Sequence, residues 1–438
     1  MKQIISIAGA IALAITASGS PAATEVQFWH SMTGALGDRV VELATKFNAS
    51  QSIYKVNAVF KGSYDESMAA GIAAFRAGNA PHVIQIFEVG TATMMAARKA
   101  IKPVYQLMAE AGEKFDPANY VPAVAGYYTD SQGKMLSFPF NSSTAVFYIN
   151  KDAFKKAGLN PDAPPKTWRE VQGAAEKLKE SGATACGFTT GWVSWVQLEN
   201  MSAWHNVPFA TRSNGFDGLD TRLSFNNELM TRHISLLSQW AKLGLFTYAG
   251  RRNEAEAKFT NGECGMLTSS SAAYAGVARG AKFQFAVAPL PYYAEFSGVP
   301  QNSIIGGASL WVMAGRKADE YKGVAKFFSF LAQPEIQAQW HQQTGYLPIT
   351  KAAYDLTRQQ GFYQKNPGTD ISVLQMTGKA PTAASKGVRL GNFVQIRGVI
   401  EEELEAVWAQ KKAPQDALNS AVERGNELLR RFEKANRT

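Results

Sequence analysis

Short apolar runs, each closed by a polar turn and followed by an amphipathic stretch, set the rhythm of the chain beyond its first two dozen residues. Thr24–Trp29 alternates as a strand does, the turn His30–Thr33 follows, and Asp38–Asn48 carries apolar residues at helical spacing. Val56–Phe60 is a second strand. It leads into Gly62-Ser63-Tyr64-Asp65-Glu66, where Ser63 and Glu66 stand at capping-box spacing, so a helix starts at Tyr64 and runs through Phe75. Val83–Val89 is a compact apolar strand with one charge, Glu88, near its carboxyl end, and Gly90-Thr91 opens another helix. Further on, strand Val146–Ile149 precedes helix Asp152–Ala157. A Pro-rich break spans Asn160–Pro165, and Thr167 with Glu170 caps the next helix. Strand Cys264–Leu267 runs into Ser269-Ser270-Ser271 ahead of a helix at Ala272–Arg279. Gly306–Met313 is a strand, and the C-terminal third is helical, ending in Glu401–Trp408 and Gln415–Lys434.

Strand, polar turn and helix in repetition predict an α/β fold with a mainly parallel sheet. Ligands of such sheets collect beyond the carboxyl ends of the strands, which directs attention to His30–Thr33, Ser63-Tyr64 and Glu88–Thr91. Glu88 stands out, because an otherwise apolar strand is a poor place for a carboxylate. The serines before Ala272 are suited to an anion, since a helix start offers free N–H groups.

The first residues change the picture. Lys2, the apolar run Ile4–Ile15 and the small residues Ser20 and Ala22 read as an export leader, residues 1–22, cut on secretion to the periplasm. No Cys lies near the cut to carry a lipid. The remaining stretch of about 415 residues is too long for one core and calls for two or three domains. With 46% hydrophobic and 18% charged residues the composition is that of a globular protein. The net charge of +9 favours an anionic ligand, but the cations are scattered, in pairs such as Lys155-Lys156 and Arg251-Arg252, so no nucleic acid is expected. Cys186 and Cys264 are either bridged, as an oxidising compartment allows, or two buried free thiols.

The five histidines lie far apart in sequence, and no HExxH, CxxC, P-loop, G-x-S-x-G or G-x-G-x-x-G occurs, so neither a metal nor another cofactor is expected. A periplasmic phosphodiesterase, which needs a metal or a nucleophile–base pair, is the alternative from a different class. What the sequence offers is aromatic and polar residues in loops. Trp192 and Trp195 lie in Gly191-Trp-Val-Ser-Trp, at a spacing that puts both indoles on one side if that stretch is helical. Packing into the second lobe's core is their ordinary role.

Several segments resemble one family. Gly78-Asn-Ala-Pro-His-Val, with His82 where Asp is commoner, and Tyr148-Ile-Asn-Lys-Asp-Ala-Phe-Lys-Lys-Ala-Gly-Leu followed by Pro164-Pro-Lys-Thr-Trp are similar to signatures of the family 1 extracellular solute-binding proteins, the group that includes the maltose-binding protein. Within it the resemblance is to members that take sn-glycerol-3-phosphate, through Phe28-Trp-His-Ser-Met, Glu88-Val-Gly-Thr-Ala-Thr-Met-Met, Phe140-Asn-Ser-Ser-Thr, Asn302–Trp311, His341–Thr350 and Arg389-Leu-Gly-Asn. It implies a two-lobed periplasmic binding protein fold (type II), not an enzyme. One lobe is expected over 23–140 plus 303–345 and the other over 141–302 plus 346–438, with crossings near Pro139–Ser142, Asn302–Gly306 and Gly345–Pro348. It implies that Tyr64 and Glu88 hold the glycerol hydroxyls. Ser143, Ser270, the backbone at Gly307, Tyr346 and Arg397 then make the phosphate and remaining polar contacts, with Ser142, Ser269 and Gly306 in reserve for a register shifted by one. Trp192 and Trp195 fall on the ligand side and suit the quaternary ammonium of glycerophosphocholine, the choline diester. The expected partners are these small molecules and the permease subunits of an ABC importer, and the chain is expected as a monomer. A disaccharide-binding member of the family is the nearer alternative, and Arg397 argues against it.

Overall fold

The computed structural model describes residues 22–437; the leader expected over residues 1–22 falls, but for Ala22, outside them. Among the described residues eleven strands gather into two sheets. They are β1 (Thr24–His30), β2 (Tyr54–Phe60), β3 (Val83–Phe87), β4 (Ile101–Lys102), β5 (Phe138–Ser143), β6 (Ala145–Asn150), β7 (Cys186–Thr190), β8 (Phe246–Thr247), β9 (Cys264–Ser270), β10 (Phe285–Ala288) and β11 (Gly306–Met313). The first sheet runs β2-β1-β3-β11, with β4 and β5 both on the far edge of β11; the second runs β10-β6-β9-β7-β8. Each sheet is the heart of one lobe. Val26, Phe28, Val83 and Leu310 pack beneath helices in the first, and Phe188 and Met266 against Trp168 and Trp240 in the second.

Local rules hold where the sequence speaks clearly. Ser63 and Glu66 close a capping box on the Tyr64–Arg76 helix, and Thr167 and Glu170 close one on the Trp168–Glu180 helix. Two expectations change. The sheets are mixed: β1, β2 and β3 are parallel, but β11 runs antiparallel to β3, β4 and β5, because it enters from the other lobe. Strand β3 also stops at Phe87, and Glu88–Gly90 turns as a 3-10 helix, so Glu88 heads a turn and is not the last residue of a strand.

The chain passes between the lobes at Thr144, the only residue between β5 and β6, and again between β10 and β11. Thr144 Oγ1 lies 2.7 Å from Ser303 Oγ and 2.8 Å from the Ile304 carbonyl oxygen, which ties the two crossings together. Residues 346–359, expected in the second lobe, lie against the first: Leu347 N donates to the Ser142 carbonyl at 2.8 Å, and Thr350 Oγ1 donates to Gln337 Oε1 at 2.6 Å. Their apolar side chains Leu347 and Ile349 complete the first lobe's core beside Trp340, which hydrophobic spacing alone did not reveal.

The two cysteines are bridged. Parallel register sets Cys186 of β7 directly beside Cys264 of β9, with Cα atoms 4.6 Å apart, inside the range a disulfide spans. Closing a loop over a separation of 78 residues constrains the unfolded chain. The denatured, unreduced protein should therefore show no free thiol, and replacing both cysteines by serine should lower unfolding free energy by roughly 2–4 kcal/mol in urea titration. Two reactive thiols in protein purified from the periplasm would contradict the bridge.

Candidate functional site

The charged centre of the molecule is a three-residue cluster between the lobes. Arg397, from the Phe393–Trp408 helix, donates from Nε and Nη2 to the two carboxylate oxygens of Glu199, each at 2.8 Å. The same Nη2 donates to Glu88 Oε1 at 2.5 Å. Glu199 sits in a π-helical turn, Trp195–Asn200, of the second lobe, and Glu88 heads the turn after β3 in the first. All three side chains are buried. Burial opposes the charge on Arg397, but two adjacent carboxylates outweigh it and hold the guanidinium protonated beyond its ordinary range. Burial pushes the Glu88 carboxyl up, and Arg397 pulls it back in part. Arg397 is thus one member of a cluster whose formal charges sum to −1, not an isolated cation.

The first lobe contributes a wired polar wall. Gln85 Oε1 accepts from Ser31 N at 2.8 Å, Gln85 Nε2 donates to Asn141 Oδ1 at 2.8 Å, and Asn141 Nδ2 donates to the Tyr64 hydroxyl at 2.9 Å. The Tyr64 ring stacks on Phe87 with centroids 5.0 Å apart. Tyr346 stacks parallel to Trp340 and points its hydroxyl at Met32 Sδ, 3.4 Å away; burial raises that hydroxyl to about 12.

The crossings contribute the serines and glycines. Ser143 pairs with Gly306 and Ser142 with Gly307 in the β5–β11 ladder, while Ala145 pairs with Ser270 in the β6–β9 ladder. Ser143, Gly307 and Ser270 therefore converge around Thr144. Gly307 has a left-handed φ of +85°, and a Cβ there would fall 1.8 Å from the Asn141 carbonyl oxygen, so only glycine fits. Ser270 Oγ accepts from Ala272 N at 3.1 Å. Ser142 Oγ and Ser271 Oγ are buried without a hydrogen-bond partner among the described residues, a state that costs about 1–3 kcal/mol apiece unless a ligand answers it.

The two indoles separate. Trp192 takes a left-handed φ of +51° ahead of the helical turn, so the side-by-side arrangement expected from their spacing does not form. Trp195 is buried, donates from Nε1 to the Ile305 carbonyl at 3.3 Å and packs its ring on Gly306, where a Cβ would meet it at 2.3 Å. Trp192 is half-buried and looks across the cleft at Tyr64, centroids 6.4 Å apart. Ion pairs close the lobes at this side: Arg252 reaches Asp65 at 3.0 Å and also the buried Glu401, and Arg279 reaches Asp38 at 3.0 Å. A groove of about 860 Å³, bordered by Lys102, Gln132, Phe216 and Arg389, holds none of the nine expected residues.

Sequence reasoning missed Glu199, Asn141 and Arg252. Glu199 carried a usable signal: it is the only charge in Trp195–Trp204, the same oddity that marks Glu88. Asn141 and Arg252 matter through what folds next to them, and no local pattern announces that. Among the described residues no group of three or more His, Cys, Asp or Glu is arranged to hold a metal ion.

A profile described as bacterial extracellular solute-binding protein matches residues 42–370. The chain is 56% identical, over 440 aligned positions covering all of both chains, to the sn-glycerol-3-phosphate-binding periplasmic protein UgpB of Escherichia coli K12. It is 57% identical to the protein of the same name from Yersinia enterocolitica, over 99% of this chain and 98% of that one. Among solved structures, UgpB from Mycobacterium tuberculosis in complex with glycerophosphocholine superposes with a TM-score of 0.78 at 22% identity, covering 94% of this chain and 99% of that one. The GacH receptor of Streptomyces glaucescens, solved unliganded and with acarbose, superposes with a TM-score of 0.76 at 18% identity, covering 94% and 99%. At these identities the structures speak for the fold.

Removing Arg397 strands two buried carboxylates. Arg397→Ala should lower unfolding free energy by roughly 3–5 kcal/mol at neutral pH. The deficit should narrow as pH falls: Glu88, already raised and raised further without its cation, binds in the folded state a proton that the unfolded chain lacks. Urea titrations at neutral and acid pH check both statements, and a variant as stable as wild type would show the cluster to be unimportant to the fold.

Proposed function

Because the chain belongs to the bacterial extracellular solute-binding proteins, we propose that it is the periplasmic receptor of an ABC importer whose ligands are sn-glycerol-3-phosphate and its choline diester, glycerophosphocholine. The observation that carries this reading is end-to-end similarity, at 56% identity, to a relative named for sn-glycerol-3-phosphate. It is a binding protein, and no bond of the ligand is made or broken. It delivers its ligand, as a monomer, to permease subunits in the membrane.

The site chemistry supports the reading. Glycerol hydroxyls donate to carboxylate oxygens, and Glu88 supplies these beside the Tyr64 hydroxyl. Phosphoryl oxygens are acceptors. Ser143, Ser270, the Gly307 backbone, and Ser142 and Ser271, whose hydroxyls lack partners, are suited to meet them. The Ala273–Gly280 helix starts just after these serines, and no side chain caps its start. Arg397, compensated by Glu88 and Glu199, acts on the phosphate from within its cluster, so neutral donors carry most of the contact.

Titration calorimetry with sn-glycerol-3-phosphate, glycerophosphocholine and maltose should give heat of binding for the first two alone. Binding of maltose alone would move the protein to the sugar-binding branch of the family. Trp192→Ala should weaken the diester by roughly two- to thirtyfold, more than the monoester, as loss of a cation–π contact does. An unchanged diester affinity would refute the contact. Ligand contacts drawn from both lobes stabilise the closed form, so small-angle scattering should show a smaller radius of gyration at saturating ligand. No change in protein that starts open would argue against closure.

A further inference from the structure

Beside Trp192 stands a carboxylate with no cation of its own. Glu256, on the Ala255–Thr260 helix of the second lobe, accepts from Ser269 Oγ at 2.8 Å, and the same Oγ would lie 2.7 Å from a Cβ at Gly191, the residue before Trp192. The arginines nearest in sequence are committed elsewhere. Arg251 pairs with Glu405, and Arg252 with Asp65 and Glu401. Among the described residues no Lys, Arg or His pairs with Glu256. A partly buried carboxylate left in this state is costly, and burial pushes its carboxyl up to about 7. Arg252 Cζ lies 6.0 Å from the Trp192 ring, so that indole already has cationic company on the protein's own account. The juxtaposition of an aromatic face, half-buried at the cleft, with an uncompensated carboxylate is the chemistry that receives a cation unable to donate hydrogen bonds.

We propose that Glu256 and Trp192 form the subsite for the quaternary ammonium of a glycerophosphodiester, and that Glu256 sets the preference for diester over monoester. The proposal rests on the reading that this site takes sn-glycerol-3-phosphate and its esters. The reasoning is one of charge sign. The diester pairs one phosphate charge with one cation, and Glu256 attracts that cation. The monoester brings about two negative charges and no cation, and Glu256 repels it.

The groups that face Glu256 are few. Ser269 comes from β9 and Trp192 from the turn after β7, while Glu254 shares its segment and takes the Arg252 N–H at 2.7 Å. Tyr148 on β6 and Tyr346 lie within electrostatic reach, and burial keeps both hydroxyls protonated near neutrality. A bound cation favours the ionised carboxylate, so diester binding expels a proton wherever Glu256 holds one. Diester affinity therefore rises with pH through about 7, while monoester affinity does not gain from Glu256.

The test is calorimetry on the full chain with glycerophosphocholine and sn-glycerol-3-phosphate, for wild type and Glu256→Gln, with wild type also followed from pH of about 6 to 8. Glu256→Gln should weaken the diester by roughly tenfold or more and tighten the monoester. Opposite signs separate this role from a merely structural one, which would weaken both. An unchanged diester-to-monoester ratio, or equal losses for the two esters, overturns the proposal. Should the variant fail to fold, the wild-type ratio decides: it must rise with pH, and a flat or falling ratio overturns the proposal. Wild type that binds the monoester but not the diester overturns the subsite alone. Wild type that binds neither overturns the ligand reading as well.

Discussion

The ion cluster of Glu88, Arg397 and Glu199 is the constraint around which the rest is arranged. It crosses the boundary between lobes, it is buried, and it is bidentate on one side and single on the other. Such a cluster is a weak source of net stability, because desolvating three charges offsets most of their attraction. Its value is geometric. Arg397 gives Glu88 one position in a 3-10 turn that by itself has no reason to hold a carboxylate still. The carbonyl of the same Glu88 lies 3.1 Å from the Tyr127 hydroxyl, which also donates to the Val388 carbonyl of the other lobe at 2.7 Å. A ligand that engages Glu88 therefore feels both lobes at once.

The first lobe's polar wall follows the same logic without charge. Gln85 and Asn141 are fully buried amides, and together they link Ser31 N to the Tyr64 hydroxyl. A chain of satisfied hydrogen bonds fixes an orientation more sharply than packing does, since a rotated amide leaves buried groups unpaired. The second lobe reaches the same end by a covalent route, stapling β7 to β9 and so fixing the turn that carries Trp192 relative to the strand that carries Ser269 and Ser270.

Much of this was legible in sequence where a local rule applies. Strand and helix order, both capping boxes and the oddity of Glu88 follow from spacing and from the cost of a charge in an apolar run. What escaped depends on residues far apart. The first sheet is mixed because β11 enters from another lobe, the second because β6 runs antiparallel to β9 and β10, and the first-lobe packing of 346–359 depends on Trp340 being there to meet it. The separation of Trp192 from Trp195 turns on one left-handed φ in a non-glycine residue, which spacing rules do not anticipate. Arg397 drew attention only through the family resemblance, and its two carboxylate partners, 309 and 198 residues away, were not legible.

The single-residue crossing at Thr144 gives the cleft a lever arm. If the lobes swing about so short a pivot as stiff plates, each point's travel grows with its distance from the axle. Ser143, Gly307 and Ser270 sit at the axle, where such a swing displaces them least. Asp38 and Arg279 meet across the lobes through an exposed ion pair, which such a swing must break. A ligand seated on the axle residues would keep those contacts through the swing and would gain the one to Glu88, which the first lobe carries, only as the lobes meet.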